Sequence, residues 1–226
     1  MHESSSKTAG IVVAAVMLVV GLGAGYGIGM AKDNGNTSTK ASTMANASTK
    51  AADLRANLVT LGVEHMVLTD QAVDAALDGS PNATASATAL YANGTNLGAA
   101  VGSVYGKDAE TTFNTVWKLH LDEFVKYAVA SKGGDEAAKA AALTSIDTNY
   151  TKPLAQYLAK ANPNLPEATL ESALREHVDM TAKMIDFHVA GNYTEESNEL
   201  TMANKHIEGI MSTLAGGIVK QYPAKF

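Results

Sequence analysis

Cysteine is absent from this sequence, which excludes disulfides, thiolate metal sites and cysteine nucleophiles and leaves the redox compartment undetermined. Aromatic residues make up only 6%, while alanine, leucine and valine are plentiful. That balance disfavours a sandwich or barrel and favours helices packed closely on small side chains. A basic patch is also missing. Setting aside Lys7, Lys32, Glu3 and Asp33, the chain holds 15 Lys/Arg against 21 Asp/Glu, so nothing matches a phosphate backbone and nucleic acid is excluded as a partner. No Gly-x-Ser-x-Gly elbow, Walker loop or His-Glu-x-x-His motif occurs. The glycine-rich "GLGAGYG" follows no strand, so it carries no dinucleotide-binding signal. What remains is 226 residues of 46% hydrophobic content, enough for one domain and an appendage.

The appendage is N-terminal. After a tail at residues 1–7, Thr8 to Ala31 runs 24 residues without a charge, long enough to cross a hydrocarbon core of roughly 30 Å as a helix. A secretory signal has a shorter apolar run, so residues 8–31 are expected to be an uncleaved anchor. If they are cut after Gly29-Met30-Ala31 the product is secreted. Gly21, Gly25 and Gly29 are spaced four apart on a smooth helix face that would let copies pair as a homo-oligomer. Residues 32–50 are rich in Ser, Thr, Asn and Ala with no apolar period and read as a linker. Residues 51–226 would then stand outside the cytoplasm on a single-pass anchor.

Beyond the linker the chain repeats itself. His65, His120 and His177 are each followed after 13 or 14 residues by a glycine, namely Gly79, Gly133 and Gly191. Each glycine is followed by a second helical stripe: Leu90, Leu97, Val101 and Val104; Leu143, Ile146, Tyr150 and Leu154; Ile207, Ile210, Leu214 and Ile218. The expectation is all-α, a six-helix bundle of three αα-hairpin repeats with helices near 52–78, 83–105, 108–132, 135–161, 167–190 and 194–221. Asp135 and Thr194 are expected to cap helices, Pro166 to occupy a first turn and Pro153 to bend the fourth helix beside Tyr150.

All three histidines fall on apolar stripes. Phe113, Val116, Trp117, Phe124 and Tyr127 flank His120 at helical spacing, Leu58, Leu61, Leu68 and Ala72 flank His65, and Leu170, Leu174 and Met184 flank His177. Their like distance from the turns puts the rings at one level, and Asn93, Tyr150 and His206 are expected at the same level on the second helices. Two readings follow. Each histidine could hydrogen-bond its hairpin partner, His65 with Asn93, His120 with Tyr150 and His177 with His206, and merely fix the packing. Alternatively His65, His120 and His177, with His206 as a fourth ligand, could bind a transition metal, copper or zinc, because neutral imidazole suits both. Met66, Met180 and Met202 would suit Cu(I). Haem is the weaker alternative, since alanine-rich second helices imply close packing over a slot. His188 reads as structural. A di-iron carboxylate site is disfavoured, because the "EH" pairs at 64–65 and 176–177 splay carboxylate and ring about 100° apart.

The runs "LRANLVTLGVEHMVLT", "LYANGTNLGAAVGSVYG", "VWKLHLDEFVKYAVA", "YLAKANPNLP" and "IVKQYPAKF" resemble a set of poorly characterised exported or membrane-anchored helical proteins of bacteria, some of which carry a copper amine oxidase label. The resemblance covers about residues 53–226 and implies an exported helical module with histidines at fixed places. It does not imply the oxidase activity, because that enzyme makes its quinone from an Asn-Tyr-Asp/Glu triplet. This sequence has "NYT" at 149–151 and 192–194. The expectation is therefore a metal-binding, non-enzymatic domain, with a structural or interaction protein of the cell envelope as the alternative.

Overall fold

The structure is a computed structural model that describes residues 49–226. The expected tail, the anchor at 8–31 and nearly all of the linker lie outside the described residues. Among the described residues the chain is helical throughout, without strands: α1 (Lys50–Leu77), α2 (Ala83–Tyr105), α3 (Lys107–Gly133), α4 (Glu136–Ile146), a π-helical turn (Asp147–Thr151), α5 (Lys152–Ala161), α6 (Glu167–Val189) and α7 (Tyr193–Gln221). With α4, the π turn and α5 forming one continuous rod, six helices match the six expected. No helix of the described residues is long and apolar enough to cross a membrane.

Local chemistry sets the ends. Thr49 caps α1 by accepting from the Ala52 N–H at 3.1 Å, so Lys50, assigned to the linker, already belongs to the helix. Asp135 caps α4 as expected, accepting from the Ala138 N–H at 2.9 Å. Pro166 stands at the N-cap of α6, one place earlier than anticipated. Tyr193 begins α7, with Asn192 rather than Thr194 at its N-cap. After α3 the left-handed residue is Gly134, at φ 68°, and not Gly133, which is still helical. Gly134 gives its N–H to the Ala130 carbonyl, a closure that a residue with a Cβ adopts only under strain.

Pro153 acts as a register shift. It has no N–H to offer the Asn149 carbonyl, and the turn just before it widens so that the Lys152 N–H reaches back to Asp147. A π turn of this kind inserts a residue without ending the helix, and it carries Tyr150 and Thr151 into the interior, both 1% exposed.

Three helices form the inside. Helices α1, α3 and α6 touch one another, while α2 packs against α1 and α3, the α4–α5 rod against α3 and α6, and α7 against α6 and α1. Inner faces are built at helical spacing from Leu58 and Met66; from Phe113, Trp117, Leu121 and Phe124; and from Leu170, Leu174, Val178 and Ile185. Each such side chain contributes about 1.5–3 kcal/mol on burial. Small residues let the outer rods approach: Gly94 lies under Trp117, Gly98 under Asn114 and Gly217 under Leu165. Polar ties join the rods. Asp186 accepts from Tyr127 at 2.9 Å, Ser131 at 2.5 Å and Lys139 at 3.1 Å, and the Lys132 ammonium donates to the Leu77 carbonyl at the end of α1.

The neighbours Gly216 and Gly217 separate packing from propensity. A Cβ at Gly217 would stand 2.5 Å from Cδ2 and 2.8 Å from Cγ of the buried Leu165, whereas at Gly216 it meets open space. Urea denaturation should find Gly217→Ala destabilised by about 1–3 kcal/mol, and Gly216→Ala unchanged or stabilised by up to about 1 kcal/mol. Equal responses would contradict this packing.

Candidate metal centre

His65, His120 and His177 come from α1, α3 and α6, the three inner helices. Each lies fourteen residues before a left-handed glycine, Gly79, Gly134 and Gly191, so at 1.5 Å per residue each ring sits about 21 Å below its turn. Equal depth on mutually packed helices brings the rings together. The His65 ring centroid is 5.7 Å from that of His120 and 5.8 Å from that of His177. One ligand atom from each lies within 4.8 Å of the other two. All three residues are 1–2% exposed.

Aromatic rings enclose the trio. Trp117, one turn before His120, meets His65 edge-on at 4.8 Å and His120 at 4.6 Å. Tyr150, delivered by the π turn, stacks on His120 at 4.2 Å with 19° between planes. The indole needs Gly94 to fit, because a Cβ there would lie 2.7 Å from its Cδ1.

Hydrogen bonds expected between hairpin partners do not form. Asn93 donates to the Leu61 carbonyl at 3.0 Å and to Glu64 at 2.9 Å. Tyr150 contacts His120 through its face. His206, expected as a fourth ligand, stands outside the converging group: its Nε2 donates to the Ala173 carbonyl at 2.9 Å and its Nδ1 faces Glu176 at 3.7 Å. The reason is rotation about α7, where Ile207 and Ile210 occupy the buried face and turn residue 206 toward the groove beside α6. Thr69 and Thr181, each one turn after a histidine, donate to the His65 and His177 carbonyls and leave the rings alone. Nδ1 of His65, Nδ1 of His177 and both nitrogens of His120 are thus buried without a hydrogen-bond partner, as is the Trp117 indole nitrogen. An orphaned buried polar group costs about 1–3 kcal/mol.

Burial dominates the electrostatics. It lowers the pKa of His65 well below the ordinary value, reinforced by His120 and His177. It brings His120 to about 3, aided by His177 and partly opposed by the backbone of Trp117, which is not in hydrogen-bond geometry with the ring. It brings His177 to about 4, aided by His206. The trio is therefore neutral at ordinary pH, the form in which imidazole binds metals. Flanking carboxylates are occupied elsewhere: Asp122 by Tyr91, Glu123 by Lys126 and Glu64 by Asn93. Nitrogens sharing one ion at about 2.0–2.1 Å stand roughly 3.4 Å apart, so closing around an ion needs ring movements of about 1 Å. Of the methionines, Met66 is fully buried, whereas Met202 is 50% exposed and so faces away from the core.

His188 is part of a second group with Asp74 and Glu196, which lies toward the α6–α7 turn and was not anticipated beyond a structural role. Burial, then neighbouring carboxylates, raise Asp70 to about 6 and Asp74 to about 7, with Glu196 the carboxylate acting most on Asp74. For His188 burial acts downward, but the Asp78 hydrogen bond and the charges of Asp74 and Glu196 outweigh it and raise the pKa. No family model, curated protein or solved structure matches this chain.

The depressed imidazoles fix the sign of a pH effect. His120 titrates near 3 when folded and near 6.5 when unfolded, so its stabilising contribution is complete above pH 6.5 and is lost as pH falls, by about 1.4 kcal/mol per unit. Asp70 and Asp74, raised in the fold, act in the opposite sense. Comparison with His120→Phe cancels them. Wild-type stability relative to this variant, from urea denaturation, should be constant between pH 8 and 7 and fall by about 1.4 kcal/mol per unit below about pH 6.5. A difference independent of pH would contradict a neutral buried imidazole.

Proposed function

We propose that this chain is a membrane-tethered, extracytoplasmic helical domain that binds one transition metal ion through His65, His120 and His177. The observation that carries this reading is the convergence of three buried, neutral imidazoles, each with at least one buried nitrogen that has no hydrogen-bond partner. Desolvating them is unfavourable unless something accepts their lone pairs, and an ion would accept all three at once. In this reading the three αα-hairpins are one repeated design, with the constant histidine-to-glycine distance setting the level of the site. The charge-free run at 8–31 supplies the anchor, which its glycine face would pair into a homo-oligomer. The resemblance to exported bacterial helical proteins agrees with that placement.

Copper(I) suits the trio better than zinc(II). No carboxylate among the described residues shares the converging ligand atoms, so the charge of the ion would be buried uncompensated. The cost of burying charge grows steeply with its magnitude, which favours a monocation. Rings covered by Trp117, Tyr150 and Phe124 argue for a bare ion and against haem. Rings only 1–2% exposed support holding a metal over turning over a substrate. His206, committed to the Ala173 carbonyl, is left out of the proposed ligand set.

One observation favours the rival reading, a structural or interaction protein of the cell envelope. The imidazoles pack as aromatic bodies, His120 stacked on Tyr150 and edge-on to Trp117, and such pairs are worth about 0.5–1.5 kcal/mol beyond burial.

Anaerobic reconstitution of the full-length chain with Cu(I), followed by elemental analysis, separates the two. Metal binding predicts roughly one copper per chain in the wild type and a loss of about tenfold or more in His120→Ala and His177→Ala. A wild type that takes up neither copper nor zinc, with variants that only melt lower, would establish the packing reading.

A further inference from the structure

A second group of convergent side chains lies toward the α6–α7 turn. Asp74 in the last turn of α1, His188 in the last turn of α6 and Glu196 in the first turn of α7 converge. His188 Nδ1 is 3.0 Å from Asp74 Oδ1, 3.1 Å from Glu196 Oε1 and 3.3 Å from Glu196 Oε2. Its Nε2 is 3.2 Å from Asp78 Oδ1. Three carboxylate oxygens are therefore aimed at one nitrogen. That nitrogen has at most one hydrogen to share among them. The shortfall is visible: Asp74 Oδ1 is buried without a hydrogen-bond partner. The Glu196 side chain is 8% exposed and that of His188 7%, while Asp74 is 33% exposed, so the group is buried on its α6–α7 side and open to solvent at Asp74.

We infer that Asp74, His188 and Glu196 bind a divalent cation of the manganese class. Ligand atoms at neighbouring corners of an octahedron about 2.1–2.2 Å from its centre stand roughly 3.0 Å apart. The 3.0 and 3.1 Å separations of His188 Nδ1 from the two carboxylates already match that edge. Asp78 occupies the place of an outer partner, taking the far N–H of the ligating ring, fixing its tautomer and raising its basicity. Thr69, Asp70 and Thr181 line the adjoining crevice with Asp74 and Glu196, and the half-exposed Asp74–Asp78 edge is where solvent reaches the group. Two carboxylates neutralise a dication. The donor set is oxygen-rich and hard, opposite to the trio, and selects manganese over copper(I).

The alternative is an ion-pair network that closes the helix ends and holds no ion. Titrating full-length protein into Mn2+ and following the electron paramagnetic resonance signal of the free ion distinguishes them. The proposal expects one Mn2+ bound per chain, unchanged in His120→Phe, lost in Glu196→Gln and in Asp74→Asn, and weakened about 10–100-fold in Asp78→Asn. Asp78 is 62% exposed at its side chain, so this last variant keeps the test open if the buried substitutions unfold the chain. A free-ion signal undiminished by wild-type protein, or equal affinity in wild type and Asp78→Asn, overturns the proposal.

Discussion

Everything at the centre of this bundle depends on one constraint: three imidazoles are held where water does not reach, on the helices that form the inner triangle. A buried imidazole must be neutral or paired, and here no acid is available to pair it. The protein has accepted orphaned nitrogens at the meeting point of α1, α3 and α6, where apolar side chains of similar size would pack without that penalty. A cost retained at the meeting point of the three inner helices calls for a compensating gain. Ion binding, as proposed, would be a gain that uses all three rings together; packing uses them as flat bodies and leaves their lone pairs unexplained.

The surroundings are arranged to position those rings. Trp117, the only tryptophan, wedges against both His65 and His120 and needs the bare backbone of Gly94 to do so. Tyr150 reaches His120 because the π turn ahead of Pro153 adds a residue to the fourth rod. A regular helix there would rotate residue 150 by about 100° per residue displaced. The chain thus uses a proline, usually a helix breaker, to aim a side chain.

Much of this could be read in the sequence, for reasons of helix geometry. Apolar spacing of three and four located the six rods, and the constant distance from histidine to turn placed His65, His120 and His177 at one depth, since rise per residue is nearly invariant. Rotation was less legible. His206 shares that depth but points into the α6–α7 groove, because its competition with Ile207 for the buried face is decided by tertiary packing. Gly133 and Gly134 are indistinguishable by composition, and only the closing hydrogen bond selects the second. The Asp74–His188–Glu196 group was missed because its members, unlike the three histidines, share no repeated distance to a turn. Only the spacing of Asp70, Asp74 and Asp78, four apart along one face of α1, hinted at it.

As proposed ion sites, the two groups would divide metal chemistry by charge. On α1, His65 and Asp74 are nine residues apart, and on α6, His177 and His188 eleven, so the sites are separated by about 14–16 Å along the bundle. That is too far for shared ligands, yet both hang on the same two rods. Below, neutral nitrogens in an apolar enclosure tolerate little net charge; above, anionic oxygens at the helix ends demand it. An ion drawn into the upper group would hold the ends of α1, α6 and α7 together and so restrain how α1 and α6 rotate toward each other. Because that rotation sets the approach of His65 to His177, occupancy of the upper site would stiffen the lower one without touching it.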